Sequence, residues 1–197
     1  MKQDIILAGV GGQGILSIAY VIDNAALKAG LNFKQAEVHG MAQRGGAVQS
    51  HLRLSQEDIF SELIPRGQAD LILSVEPMEA LRYVELLQPE GRVVTSLKPF
   101  VNIPDYPPME DVLAAIRELG GAGPAVILDS EGLAKQAGSV WSQNMVMLGA
   151  ASPDLILNEG LLQGFIRDLF EPKGDAVVEV NLEAFRLGKE AALAARS

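Results

Sequence analysis

The chain has no cysteine. That absence removes disulfides, thiolate zinc sites, cysteine nucleophiles and cysteine-ligated iron–sulfur clusters from its own chemistry. It fits a cytoplasmic setting, where disulfides are not used. Histidine is nearly as scarce. His39 and His51 are the only two, with no HxxxH spacing and no carboxylate cluster beside them, so no metal site is expected. Basic residues are in the minority: Lys plus Arg total 16 against 25 Asp plus Glu, a formal net charge of −9. A general attraction to nucleic acid or to an anionic membrane surface is therefore not expected. Residues 5–22 carry no charge and approach a membrane span in length. Gly9, Gly11, Gly12 and Gly14 around Gln13 interrupt them, however, and Asp4 sits where a signal peptide needs positive charge. Neither a leader nor an anchor is expected.

What is present is ordinary globular material. The chain has 197 residues, 48% hydrophobic and 21% charged, enough for one α/β domain over residues 1–197 with a core that needs no staples. Asp4 to Ala8 reads as a buried strand, Gly9 to Gly14 as a turn, and Ile15, Ile18, Ala19, Ile22 and Ala26 as one face of a helix that closes at Gly30. Phe33 to Val38 reads as a second strand. Ala47 to Leu54 alternates, with Val48, Ser50, Leu52 and Leu54 on one face and Gln49, His51 and Arg53 on the other; Ile59 to Ile64 is expected to pair with it.

Asp70 to Val75 is the next strand. Glu76-Pro77 opens a helix expected to contain Leu81, Val84 and Leu87 and to end at Gly91. Arg92 to Thr95 and Ala125 to Leu128 read as strands, with a helix marked by Val112, Leu113, Ile116 and Leu119 between them. Prolines 99, 104, 107 and 108 predict an extended connection. The last third reads as helical, with an apolar stripe through Leu161, Leu162, Phe165, Ile166, Leu169 and Phe170 and a weaker one through Leu182, Phe185 and Ala192. Trp141, Met145 and Met147 are expected in the core, with a subunit interface as the alternative. Strands alternating with helices imply a Rossmann-like, mainly parallel sheet flanked by helices, with a helical C-terminal part.

Two stretches carry chemistry. Gly9-x-Gly11-x-x-Gly14 after a strand and before a helix matches the dinucleotide-binding pattern. Its glycines permit close backbone approach, and the helix start presents free N–H groups to an anion. Gln13 is an unusual insertion in that turn. Glu37, 23 residues after Gly14, falls near the place of a ribose-binding acid. Three readings stand open: an anion or partner site, a nicotinamide site, and a tight crossover that binds nothing. The second stretch, Val38 to Gln56, contains no acid. Within it Gln43-Arg44-Gly45-Gly46 sets a guanidinium fork beside backbone N–H groups, which suits phosphate or carboxylate; Ser50, His51 and Arg53 follow. A solvated surface hairpin is the alternative.

Together these residues resemble a known family. The run Gly9-Val10-Gly11-Gly12-Gln13-Gly14 is followed by Glu37-x-x-Gly40-x-x-Gln43-Arg44-Gly45-Gly46-x-Val48-x-Ser50-His51-x-Arg53. Ala69-Asp70, Glu76-Pro77 and Asn144 with Leu148-Gly149-Ala150 come after it. The pattern resembles the gamma subunit or domain of 2-oxoacid:ferredoxin oxidoreductases, with closest likeness to small (beta) subunits of the indolepyruvate enzymes. The resemblance implies a complex that oxidatively decarboxylates a 2-oxo acid to an acyl-CoA and CO2 and reduces ferredoxin, with thiamine diphosphate and [4Fe–4S] clusters supplying the hard chemistry.

This chain lacks cluster ligands. It also lacks the Gly-Asp-Gly start of a thiamine-diphosphate segment; Gly174-Asp175-Ala176 is the nearest approach. The resemblance therefore places thiamine diphosphate, Mg2+ and clusters on a large partner subunit and leaves this chain inactive alone. It also makes Gly9, Gly11, Gly12, Gln13, Gly14, Gln43, Arg44, Gly45, Gly46, Ser50, His51 and Arg53 candidates for a coenzyme A or subunit-junction site. An independent NAD(P)-dependent dehydrogenase and a purely structural scaffold subunit are the alternatives.

Overall fold

The computed structural model describes residues 1–39, 45–101, 104–119, 121 and 123–196. Gln43 and Arg44 lie outside the described residues. The chain runs β1 (Lys2–Val10), α1 (Ile15–Lys28), β2 (Asn32–His39), β3 (Ala47–Ser55), β4 (Ala69–Ser74), α2 (Pro77–Arg82), β5 (Leu87–Ser96), α3 (Met109–Arg117), β6 (Val126–Leu128), α4 (Ser130–Ala137), α5 (Gln143–Ala151), α6 (Glu159–Phe170) and α7 (Asp175–Ala194).

Among the described residues the strands form one six-stranded sheet in the order β2-β3-β1-β4-β5-β6. β1, β4, β5 and β6 are mutually parallel, and β3 runs antiparallel to both its neighbours, β1 and β2. Strand alternation divides the core. Ile5 and Leu7 of β1 face one side with Leu52, Leu54, Leu71 and Leu73, under α1, α5, α6 and α7. Ile6 and Ala8 face the other side with Ile72 and Val93, under α2 and α3. The fold is thus α/β and Rossmann-like, with a mainly parallel sheet flanked by helices and a helical C-terminal part.

α1 ends as its sequence predicts. Gly30 takes φ 76° just past the cap, its N–H reaches Leu27 O, and Leu31 N–H reaches Ala26 O. This is the paired closure that glycine permits. α5 is apolar on all sides, and Asn144 to Ala151 are all buried. It lies between the sheet and α7, and the two helices meet backbone to backbone at two glycines. A methyl on Gly149 would lie 1.9 Å from Phe185 O, and one on Gly188 would lie 1.9 Å from Val146 O.

Two expected elements differ. Ile59 to Ile64 is not a strand, because β3 is already paired along both edges. The segment is held by side chains instead. Arg53 Nη1 donates to the carbonyls of Ser61 (3.0 Å) and Leu63 (3.1 Å), and Ile64 N–H donates to His51 Nδ1 (3.1 Å). The helix opened by Glu76-Pro77 stops at Arg82. After a short turn at Val84–Leu86, Leu87 begins β5 rather than closing the helix. Gly91 lies inside that strand, where a side chain would meet Leu87 Cδ1 at 2.5 Å and Ala69 O at 2.8 Å.

Candidate functional site at the carboxyl edge of the sheet

β1 passes into α1 on one face of the sheet, and β4 passes into α2 on the other. The carboxyl ends of these adjacent strands therefore open a crevice, the usual place for ligands in doubly wound sheets. A cavity of about 520 Å³ lies there, lined by Gly11 to Gly14 after β1, Gly45, Val75 after β4, Lys98 to Phe100 after β5, Glu131 on α4, and Val140, Trp141, Gln143 and Asn144 around the start of α5.

The glycine turn is built by its own residues. Gln13 folds back so that its Oε1 accepts Val10 N–H at 2.7 Å, while Gln13 N–H donates to Val10 O at 3.0 Å. Its side-chain oxygen therefore serves to close the turn. Gly9 has no room for a side chain, since a methyl would sit 2.9 Å from Ile15 Cδ1. Gly14, with φ 79°, forms the helix cap, and Asn144 Nδ2 donates to its carbonyl at 3.4 Å.

The structure brings the two glycine stretches together. Gly11 N–H donates to Gly46 O at 2.8 Å and Gly45 N–H to Gly11 O at 3.3 Å, continuing the β1–β3 ladder beyond its last strand pair. Of the sequence candidates, Gly11, Gly12, Gln13, Gly14 and Gly45 line the cavity.

Ser50, His51 and Arg53 do not. Ser50 is fully buried and accepts from Gln35 Nε2 at 2.9 Å. His51 is buried, and its Nδ1, accepting from Ile64 N–H, carries no proton; burial first and the nearby Arg53 second hold its pKa below the ordinary value. Arg53 grips Asp4 with two bonds, Nε to Oδ1 at 2.8 Å and Nη2 to Oδ2 at 3.1 Å. Asp4 is six residues back along β1 from Val10, or roughly 20 Å from the turn. Glu37 is exposed on β2, and β3 lies between β2 and β1. That insertion sets Glu37 two strand spacings, roughly 10 Å, from β1, where a dinucleotide site needs the acid on the adjacent strand.

Sequence reasoning missed the opposite wall. Trp141, expected in the core, is 87% exposed at the cavity rim, whereas Met145 and Met147 are fully buried in α5 as expected. Lys98 Nζ lies 3.5 Å from Glu131 Oε1 and 3.6 Å from Asp129 Oδ1, so the cavity's one lining lysine stands between two acids. The signal for this wall was positional: these residues follow strands, at the edge where α/β folds bind ligands. Among the described residues no group of three or more His, Asp or Glu is placed to hold a metal. No helix among them is long and apolar enough to cross a membrane.

A doubly wound sheet whose glycine turn and post-strand loops surround such a cavity defines an α/β protein of the Rossmann-like class. The chain belongs to the pyruvate ferredoxin/flavodoxin oxidoreductase family, whose pattern matches residues 4–191. It is 39% identical over 201 residues to the indolepyruvate oxidoreductase subunit IorB of Thermococcus kodakarensis, covering 98% of this chain and 97% of that one. It is 28% identical over 193 residues to the 2-oxoglutarate synthase subunit KorC of Methanothermobacter thermautotrophicus, covering 96% and 95%.

Among solved structures, the 2-oxoglutarate:ferredoxin oxidoreductase of Magnetococcus marinus, with 2-oxoglutarate, coenzyme A and succinyl-CoA bound, aligns with a TM-score of 0.78 at 27% identity. The match covers 98% of this chain and 31% of that longer one. The keto/oxoacid ferredoxin oxidoreductase gamma subunit of Geobacter sulfurreducens shares the fold, with a TM-score of 0.71 at 24% identity over 98% and 99%. The chain is a small, gamma-type subunit of a 2-oxoacid:ferredoxin oxidoreductase.

Proposed function

We propose that this chain, acting as one gamma-type domain in the cytoplasm, supplies the coenzyme A side of a hetero-oligomeric oxidoreductase. That complex converts an aryl 2-oxo acid such as indolepyruvate to its acyl-CoA and CO2 and reduces ferredoxin. The observation that carries the reading is the cavity at the carboxyl edge. The backbone of the glycine turn and the Lys98 ammonium offer donors to phosphate there, and the exposed faces of Trp141 and Phe100 at the rim suit a planar base. A relative of the same fold has coenzyme A bound. Gln43 and Arg44 belong to the proposed site on sequence grounds. Ser50, His51 and Arg53 are read as structural, because they are bonded to Gln35 and Asp4 in the sheet and to the backbone of residues 61–64.

The residues of this chain do not fit the other cofactors. A [4Fe–4S] cluster needs cysteine thiolates, and the chain has none. Clusters, thiamine diphosphate and its Mg2+ are therefore assigned to the larger partner, and no step is assigned to them here. What this subunit does is bind and orient.

The test is to purify the chain alone, the candidate large subunit alone and the two together, and to follow 2-oxoacid-dependent reduction of a viologen dye. Full, coenzyme A-dependent activity is expected only from the mixture. Activity of this chain alone, or a large subunit indifferent to its addition, overturns the reading. Saturable NAD or NADP binding by the chain would favour the dehydrogenase alternative.

A further inference from the structure

Glu76 is 1% exposed, yet it is a carboxylate at the mouth of the fold, one residue past the cavity-lining Val75. A buried carboxylate is tolerated only when hydrogen-bonded, and this one is. Oε2 accepts Glu79 N–H at 2.9 Å, capping α2. Oε1 accepts Phe100 N–H at 3.2 Å and Tyr106 O–H at 2.5 Å. The backbone of Glu76 is itself pinned, since Ser74 Oγ donates to its carbonyl at 2.5 Å and accepts its N–H at 3.3 Å.

Capping alone does not require this residue. Asp, Asn, Ser and Thr cap better because they are shorter. What the additional methylene of glutamate provides is reach, with the second oxygen extending to residues 24 and 30 positions ahead in the chain. Those two residues lie on the proline-bearing connection between β5 and α3, and Phe100 forms part of the cavity wall with Lys98 and Pro99.

We propose that Glu76 is a positioning residue for the ligand cavity: its buried carboxylate clamps the Phe100 backbone and the Tyr106 hydroxyl and so holds the Lys98–Phe100 wall in its binding shape. The proposal rests on reading the cavity as the coenzyme A site. Glu76 does not line the cavity. It acts through the wall it fastens, so its effect falls on ligand affinity rather than on the chemical step.

The variants that isolate this role are Glu76→Asp, which keeps a good cap for α2 but withdraws the carboxylate from the loop, and Tyr106→Phe, which removes one donor and leaves Glu76 in place. Both are to be studied in the reconstituted two-chain complex by two readouts. Hydrogen exchange of the peptide covering residues 98–101 is expected to accelerate roughly tenfold in Glu76→Asp, and less in Tyr106→Phe. KM for coenzyme A is expected to rise roughly five- to twentyfold in Glu76→Asp, with kcat within about twofold and KM for the 2-oxo acid unchanged. Unchanged exchange in both variants overturns the proposal. Faster exchange with unchanged KM for coenzyme A also overturns it if Lys98→Ala raises that KM. If Lys98→Ala leaves KM unchanged as well, the coenzyme A reading of the cavity fails, and the clamp stands as a property of the loop.

Discussion

The side-chain amide of Asn144 occupies the space that a side chain on Gly14 would need. Its Nδ2 lies 2.5 Å from the position of a Cβ there and donates to Gly14 O at 3.4 Å. The contact joins α5, the buried helix of the C-terminal part, to the glycine turn at the end of β1. The turn after the first strand and the start of α5 thus meet at the cavity. This explains why a glycine is required at a position whose φ of 79° already disfavours any other residue.

Gly14→Ala is therefore expected to destabilise twice over, by backbone strain and by collision, for a loss of about 2–4 kcal/mol in denaturant unfolding. Combining it with Asn144→Ala relieves the collision but not the strain. The double variant should accordingly be more stable than the sum of the two single losses predicts. Simple additivity would show that the contact is not close.

The α5–α7 crossing separates two kinds of glycine. At Gly149 and Gly188 a methyl would meet the other helix's backbone, which cannot move aside as a side chain can. Alanine at either is expected to cost about 3 kcal/mol or more. Gly164, inside α6, has nothing within 4 Å of its would-be Cβ, so Gly164→Ala should stabilise by about 0.5–1 kcal/mol. Thermal unfolding of the three variants checks the opposite signs.

Arg53 is bound at Asp4, away from the cavity, and its remaining donors hold the 61–63 segment. Arg53→Lys keeps the charge but cannot form the two-bond grip. A stability loss of about 2–4 kcal/mol is expected, reduced from the full cost of a broken buried pair because Lys2 also reaches Asp4 at 2.9 Å. KM for coenzyme A in the complex should not change. An increase would return Arg53 to the binding site.

Asp23 on α1 is buried, its Oδ1 has no hydrogen-bond partner among the described residues, and burial raises its pKa to about 7. Between the unfolded value of 3.8 and about 7, the folded chain holds a proton that the unfolded chain releases. Stability from this group is therefore present below about pH 4 and is lost as pH rises through 7. Asp23→Asn should flatten that loss and stabilise the chain at pH 8 by an amount on the order of 1–3 kcal/mol. His51 acts in the opposite direction over its own range. Its pKa is lowered, so its contribution is present above about pH 6.5 and weakens as pH falls. Melting temperatures from pH 4 to 8 for wild type and Asp23→Asn measure the first effect directly.

Most of the architecture was legible in local pattern. The run Asp4–Ala8, the glycine turn and the helical spacing to Gly30 specify β1, α1 and the crossover between them, because each is decided by neighbours in sequence. Ile59–Ile64 was misread because its alternatives are decided at a distance: both edges of β3 are occupied, and only the fold reveals that. Leu87 was misread for a related reason, since its apolar spacing suits a helix while its partner is Ala69 on β4.

At the site, the glycines were visible because turn geometry restricts residue type. Lys98, Glu131 and Trp141 were not, because their roles depend on which strands end side by side. For Trp141 hydrophobicity suits both core and interface, and its exposure reflects its place at the rim of a cavity.

Whether this cavity takes coenzyme A can be tested with two opposite signs through the Lys98–Glu131 pair that lines it. Lys98→Ala removes the lysine that lines the cavity and takes from Asp129 its ion-pair partner, while Glu131 keeps Lys135; Glu131→Gln removes one of the two acids holding Lys98. In the reconstituted complex, KM for coenzyme A is expected to rise roughly tenfold or more in Lys98→Ala and to fall about two- to fivefold in Glu131→Gln, with KM for the 2-oxo acid unchanged in both. A KM for coenzyme A that moves in neither variant, or that moves the same way in both, contradicts the coenzyme A reading of the cavity.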